Sequence, residues 1–142
     1  MRIIRDHTYV DDADRGASAA IGNFDGVHLG HLSVIELARQ QAERSGAPLG
    51  VVTFEPHPRE FFAPDAPSFR LMGRSARAHR LEKIGVQRLY QLNFNAALSS
   101  LTAREFARDV LSNGLGLTHV VVGADFRFGK GRAGDATALR AF

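Results

Sequence analysis

The chain has 142 residues, 44% of them hydrophobic and 23% charged, which suits one domain with a buried core. Its formal charge of +3 arises from 16 arginines and two lysines scattered among 15 acids, so composition calls for no nucleic-acid partner. No cysteine is present, which excludes disulfides, thiolate catalysis and sulfur-ligated zinc; no window approaches the ~18 apolar residues of a membrane span, and Met1 to Asp6 lacks the apolar stretch of a secretory signal, so a cytoplasmic location is expected.

In chain order, the first strand-like segment is the apolar run 17–22. It leads into Gly22-Asn23-Phe24-Asp25-Gly26-Val27-His28-Leu29-Gly30-His31, the densest chemistry in the sequence. A helix is predicted over about 29–44, with Val34, Ile35, Leu37, Ala38 and Ala42 sharing one face and Ser45-Gly46 as its end. Because that helix starts close to His28, its free N–H groups and the positive end of its dipole point back over the turn, where an anion fits. Gly22, Gly26 and Gly30 let the backbone approach a phosphate closely, and two imidazoles three residues apart aim donors at the same place. An arbitrary His-x-x-His pair reads as capping or surface histidines; the glycine context is what points to a nucleotide phosphate. A zinc site is disfavoured because no third and fourth ligands stand at suitable spacing.

Leu49 to Phe54 forms a second near-continuous apolar run, as parallel strands show when both faces are covered. Phe54-Glu55-Pro56-His57-Pro58-Arg59 follows, a loop stiffened by two prolines, with Phe61, Phe62 and Phe69 close behind. A second helix is predicted over about 75–84, stopping at Gly85, and the arginines at 70, 74, 77 and 80 read as its solvated face. Arg88 to Leu92 is a third strand, Thr102 with Glu105 is a capping box for a helix through about Leu111, and Thr118 to Val122 is a fourth strand. The glycine-rich loop 123–135 comes next, where Arg127, Lys130 and Arg132 offer anion contacts.

Strands alternating with helices predict a doubly wound α/β parallel sheet of Rossmann-like form with right-handed crossovers. Ligands of such sheets collect outside the carboxyl ends of the strands. The histidine turn, the Pro-His-Pro loop and the glycine-rich loop all fall at such ends, so one composite site is expected.

Three blocks, GNFDGVHLGH at 22–31, TFEPHP at 53–58 and VVGADFRFGKGRAGD at 121–135, resemble the adenylyltransferase domain of the bacterial bifunctional riboflavin kinase/FAD synthetase family. The first block alone marks only the wider nucleotidyltransferase superfamily; the other two narrow it. The resemblance implies transfer of AMP from ATP to FMN, giving FAD and pyrophosphate, with Mg2+ alongside ATP. Members of the family typically carry a carboxyl-terminal riboflavin kinase domain. They also continue past the region of Phe142 to another strand and a Ser/Thr-rich turn ending in arginine, so the chain is expected to be an adenylyltransferase domain incomplete at its carboxyl end, with the kinase domain present in the full-length protein.

On that resemblance, His28 and His31 are the candidate catalytic residues, touching the ATP phosphates. Gly22, Asn23, Phe24, Asp25 and Gly30 complete the ATP side of the turn, with Asp125 and Arg132 from the third block. Phe54, His57, Phe62 and Phe128 are the candidate flavin contacts, because flat aromatic faces suit an isoalloxazine ring, although core packing explains any single phenylalanine as well. No metal ligand is assigned. Two alternatives stay open: AMP transfer to another acceptor, such as phosphopantetheine or a nicotinamide nucleotide, and a flavin- or nucleotide-binding fragment without turnover.

Overall fold

The computed structural model describes residues 1–7, 10–22, 29–55, 74–93 and 95–122. Among these residues the strands are β1 (Arg2–Ile4), β2 (Ser18–Ile21), β3 (Leu49–Glu55), β4 (Arg88–Asn93) and β5 (His119–Val122). Helix α1 (Leu29–Ser45) lies between β2 and β3, and α2 (Arg74–Ile84) precedes β4. After β4 come the single-turn α3 (Ala96–Ser99) and then α4 (Ala103–Glu105), which continues as a π-helix over Phe106–Ser112.

All pairings are parallel, and the sheet order is β1-β4-β3-β2-β5. Successive strand residues point to opposite faces, and the two faces carry separate cores. Ala19, Ile21, Val52, Phe54, Tyr90 and Leu92 pack with Leu98, Phe106 and Val110 from the α3–α4 side. Ala20, Val51 and Leu89 pack with Ile35, Ala38 and Ala42 of α1 and Leu81 of α2. Helices therefore cover both faces, which is the doubly wound α/β arrangement the sequence predicts.

Local chemistry ends the helices where the sequence says it should. Gly46 adopts φ 69° after α1, and Ala47 N–H donates to Ala42 O at 2.9 Å. Gly85 adopts φ 108° after α2; Val86 N–H reaches Leu81 O at 3.1 Å and Gly85 N–H reaches Glu82 O at 3.1 Å, closing a Schellman motif whose flanking Leu81 and Val86 share one core. At the start of α4, Glu105 N–H donates to Thr102 Oγ1 at 3.1 Å and Thr102 N–H donates to Glu105 Oε1 at 3.0 Å, the predicted capping box.

Two features were not legible in the pattern. β1 has only three residues, mostly exposed, too few for a strand period to register. It is held instead by polar contacts: the buried Asp14 carboxylate accepts from Arg2 Nε at 2.7 Å and Arg2 Nη2 at 2.9 Å, and Arg88 Nε stands 2.9 Å from the same group. Tyr90 Oη donates to Asp14 O at 2.6 Å, so this aspartate joins the β1 and β4 neighbourhoods through both main chain and side chain. Leu37, placed on the apolar face of α1 by the sequence reading, is 53% exposed. It lies about 100° around the helix from Ala38, outside the stripe of Ile35, Ala38 and Ala42.

Candidate functional site

The chain visits β2, then β3 and β4 to one side, and then crosses to β5 on the other side of β2. The strand order thus reverses between β2 and β5, the place where doubly wound sheets open a crevice at their carboxyl ends. Ile21 pairs with Val122 there, so the histidine turn and the loop beginning at residue 123 leave the sheet from adjacent positions. Gly22 extends the β2 line by one residue, its N–H donating to Val52 O at 3.1 Å.

His31 sits in the first turn of α1 and is partly buried, and the backbone of Gly30 belongs to the same turn. No acidic residue occupies that turn, so the positive end of a 17-residue helix is not offset by its own side chains. Asn23, Phe24, Asp25, His28, His57, Phe62, Asp125, Phe128 and Arg132 lie outside the described residues. Of the candidate contacts, the structure brings Gly22, Gly30 and His31 to one sheet edge. Phe54 is also on β3, but its side chain is 4% exposed, packed at a ring-centroid distance of 6.2 Å and 42° from Phe106 in the core.

The two faces of the sheet differ toward this edge. On the α3–α4 face, Ile21, Phe54 and Leu92 keep it apolar to the strand ends. On the α1–α2 face, the apolar register row Ala20, Val51 and Leu89 gives way one step on to Thr53 opposite Gln91, and then to Glu55 opposite Asn93. Thr53 and Gln91 are buried, and Thr53 Oγ1 and Gln91 Nε2 have no hydrogen-bond partner among the described residues.

Above them Arg77 Nη2 donates to Glu55 Oε1 at 2.6 Å, with the Arg77 side chain 3% and the Glu55 side chain 17% exposed. This corrects the reading of the α2 arginines as a solvated face. Arg80 is exposed as expected, whereas Arg77 points inward. The signal was present in the spacing: Arg77, Leu81 and Ile84 stand at i, i+4 and i+7, one stripe of the helix, and Leu81 is fully buried.

The sequence profile of the FAD synthetase family matches residues 10–142. The chain is similar to bifunctional riboflavin kinase/FMN adenylyltransferases: 45% identical to that of Pseudomonas fluorescens over 141 residues, covering 99% of this chain and 45% of the relative. The corresponding figures for Escherichia coli K12 are 36% over 141 residues, 99% and 45%, and for Bacillus subtilis 36% over 131 residues, 92% and 41%. The chain therefore spans a little under half the length of these relatives. A crystal structure described as a macrolide-efflux protein from Streptococcus pneumoniae superposes with a TM-score of 0.79 at 26% identity, covering 98% of this chain and 45% of that one. Among the described residues, no helix is long and apolar enough to cross a membrane.

Proposed function

The chain belongs to the FAD synthetase family, and on that premise we propose that it is the adenylyltransferase part of a bifunctional protein, moving AMP from ATP to FMN. In the proposed reaction a phosphate oxygen of FMN forms a bond to the α phosphorus of ATP. The bond from that phosphorus to the bridging oxygen breaks, and the electron pair leaves with pyrophosphate. With a second pKa near ~6, the FMN phosphate is already largely dianionic at neutral pH, so no side-chain base is needed. Catalysis is then positioning plus stabilisation of phosphate charge by fixed donors.

The observation that carries this reading is the reversal of strand order between β2 and β5, from which the histidine turn and the loop after Val122 both depart. His28 and His31 are proposed to donate to the ATP phosphates, beside Gly22, Asn23, Phe24, Asp25 and Gly30 in the turn and Asp125 and Arg132 in the later loop. His57, Phe62 and Phe128 are proposed to meet the flavin; Phe54, buried against Phe106, supports that side from beneath. Magnesium bound with ATP would screen the phosphate charge. A riboflavin kinase domain in the full-length protein and a cytoplasmic location complete the proposal.

The test is to mix the protein with FMN, ATP and magnesium and resolve the products by chromatography. FAD and pyrophosphate are expected in equal amounts. His28→Ala and His31→Ala are each expected to lower turnover about 100-fold or more while the circular dichroism spectrum is kept. Turnover with phosphopantetheine or nicotinamide mononucleotide in place of FMN, or near-normal rates in both variants, would overturn the assignment.

A further inference from the structure

Ser18 is the one hydroxyl in a buried run of alanines. Ala17, Ala19 and Ala20 flank it, and all four residues are 0% exposed. Its side chain leaves the sheet: the Oγ–H donates to Ala38 O, inside α1 and 20 residues away, at 2.8 Å. The helix ladder uses one lone pair of an interior carbonyl, and the serine takes the other.

Packing alone is a poor account of this residue. An alanine at 18 would suit the core and would avoid desolvating a hydroxyl. What the bond supplies is placement. The apolar cluster on this face includes Ala20, Ala38 and Ala42, whose small side chains form shallow ridges and interlock little along the helix axis. A hydrogen bond fixes distance and direction together.

The bond also gives β2 and α1 a common origin. β2 and β3 are parallel, with Ser18 opposite Leu49, so α1 runs back along β2 from its carboxyl end. The four strand steps from Ser18 to Gly22 span about 13 Å. The nine helix steps from Ala38 back to Leu29 span about 13.5 Å, and the seven back to His31 about 10 Å. Counted from the bond, the first turn of α1 comes level with the end of β2, where Gly22 N–H is fixed on Val52 O at 3.1 Å. A slip of α1 by one residue would carry His31 about 1.5 Å along the axis and turn it by about 100°.

We propose that Ser18 is a positioning residue for the ATP side of the site, setting the height of α1 on the sheet and so the place of the His31 imidazole. The proposal rests on the FMN adenylyltransferase reading, in which His31 meets the ATP phosphates. Fully buried at the amino-terminal end of β2, Ser18 acts through what α1 carries.

The experiment compares Ser18→Ala, His31→Ala and the double variant in the full-length protein, with Ser45→Ala as control. Ser45 Oγ–H makes the same kind of bond, to Gln41 O at 2.8 Å, but within α1 and exposed. Ser18→Ala removes a single oxygen and is expected to keep the circular dichroism spectrum; Ser18→Cys, a weak donor of similar size, is run beside it and is expected to show the same defect in smaller measure. In Ser18→Ala, kcat/KM for ATP is expected to fall about tenfold or more, since misplacement by about 1 Å costs up to about 100-fold. In the His31→Ala background the same change is expected to cost about twofold or less, because the group being positioned is gone. Ser45→Ala is expected to keep the parent rate. NMR gives a readout independent of turnover: the His31 ring signals are expected to move in Ser18→Ala while those of His79 on α2 stay in place. Folded Ser18 variants with the parent kcat/KM, a loss of equal size with and without His31, or an unmoved His31 signal each overturn the proposal. Loss of the fold in both Ser18 variants makes the bond a matter of stability and overturns it too. If the parent protein makes no FAD, the functional reading fails by itself, and the His31 signal still shows whether Ser18 sets the place of the ring.

Discussion

Tyr90 shows how one side chain can report on its whole surroundings. Burial pushes its phenol up to about 12 from 10.0, a rise that nearby Arg88 partly opposes. The folded protein therefore holds this proton where the unfolded chain has released it, and stability falls as pH rises from about 10 toward 12, by at most about 1.4 kcal/mol per pH unit. Below about pH 9 the phenol contributes almost no slope. Urea unfolding at pH 9, 10 and 11 measures the effect, and Tyr90→Phe is expected to remove this contribution while costing about 1 kcal/mol at neutral pH through loss of the 2.6 Å bond to Asp14 O. Room for that ring comes from residues chosen for what they lack. A Cβ on Gly50 would stand 2.8 Å from Tyr90 Cε2, and Ala17 and Ala19 flank the same position. Composition and period give no hint of this, because a glycine in an apolar run looks like a weak strand position until the opposite ring is known. Arg77 was obscured for a related reason: charge suggests water, and a partner at the end of β3 helps to make burial tolerable.

At the scale of elements, the readable signals were those whose cause is local. The apolar runs of β2 and β3, the glycine ends of α1 and α2, and the Thr102–Glu105 box each depend on a few adjacent residues. The missed features depend on distant ones, as β1 does on Asp14 and Arg88. Local and distant causes meet in α4. The capping box begins it as an ordinary helix, and the chain then widens to π geometry, with Asn113 N–H bonded to Arg108 O at 2.9 Å and Leu115 N–H to Val110 O at 2.8 Å. That widening accompanies burial of Phe106, Ala107, Val110 and Leu111 together, and Arg15 donates from the far side to Asn113 O and Gly114 O at the end of the run. Glu105 is held below its usual carboxylate range by its bond to the Thr102 backbone and then by the Thr102 side chain, so its support for the cap is present at neutral pH and lost as acid protonates it. Thr102→Ala is expected to lower stability by about 1 kcal/mol in denaturant unfolding. It should also weaken the acid dependence; an unchanged midpoint would mean that packing alone sets the start of α4.

The whole molecule divides its work between the two ends of the sheet. The amino-terminal end carries the Asp14, Arg2 and Arg88 contacts, and the carboxyl end carries Gly22, His31 and the Glu55–Arg77 pair. Since the proposed nucleotide site draws on segments that follow β2 and β5, ligand binding should stabilise the fold as a unit. ATP with magnesium at ~100 times its dissociation constant is expected to add about 2.7 kcal/mol, read as a rise in the thermal midpoint, and His31→Ala should reduce that rise. The architecture was legible from the alternation of runs, whereas the sheet's outer strand at β1 was not. That outer strand has a consequence for the order of events when the chain is made. Arg2 pairs with Arg88, and Asp14 receives its main-chain bond from Tyr90, 76 residues later. Strand β1 therefore has nowhere to settle until β4 has been synthesised and added beside β3, so it is among the last parts of the sheet to fold although it is made before the other four strands.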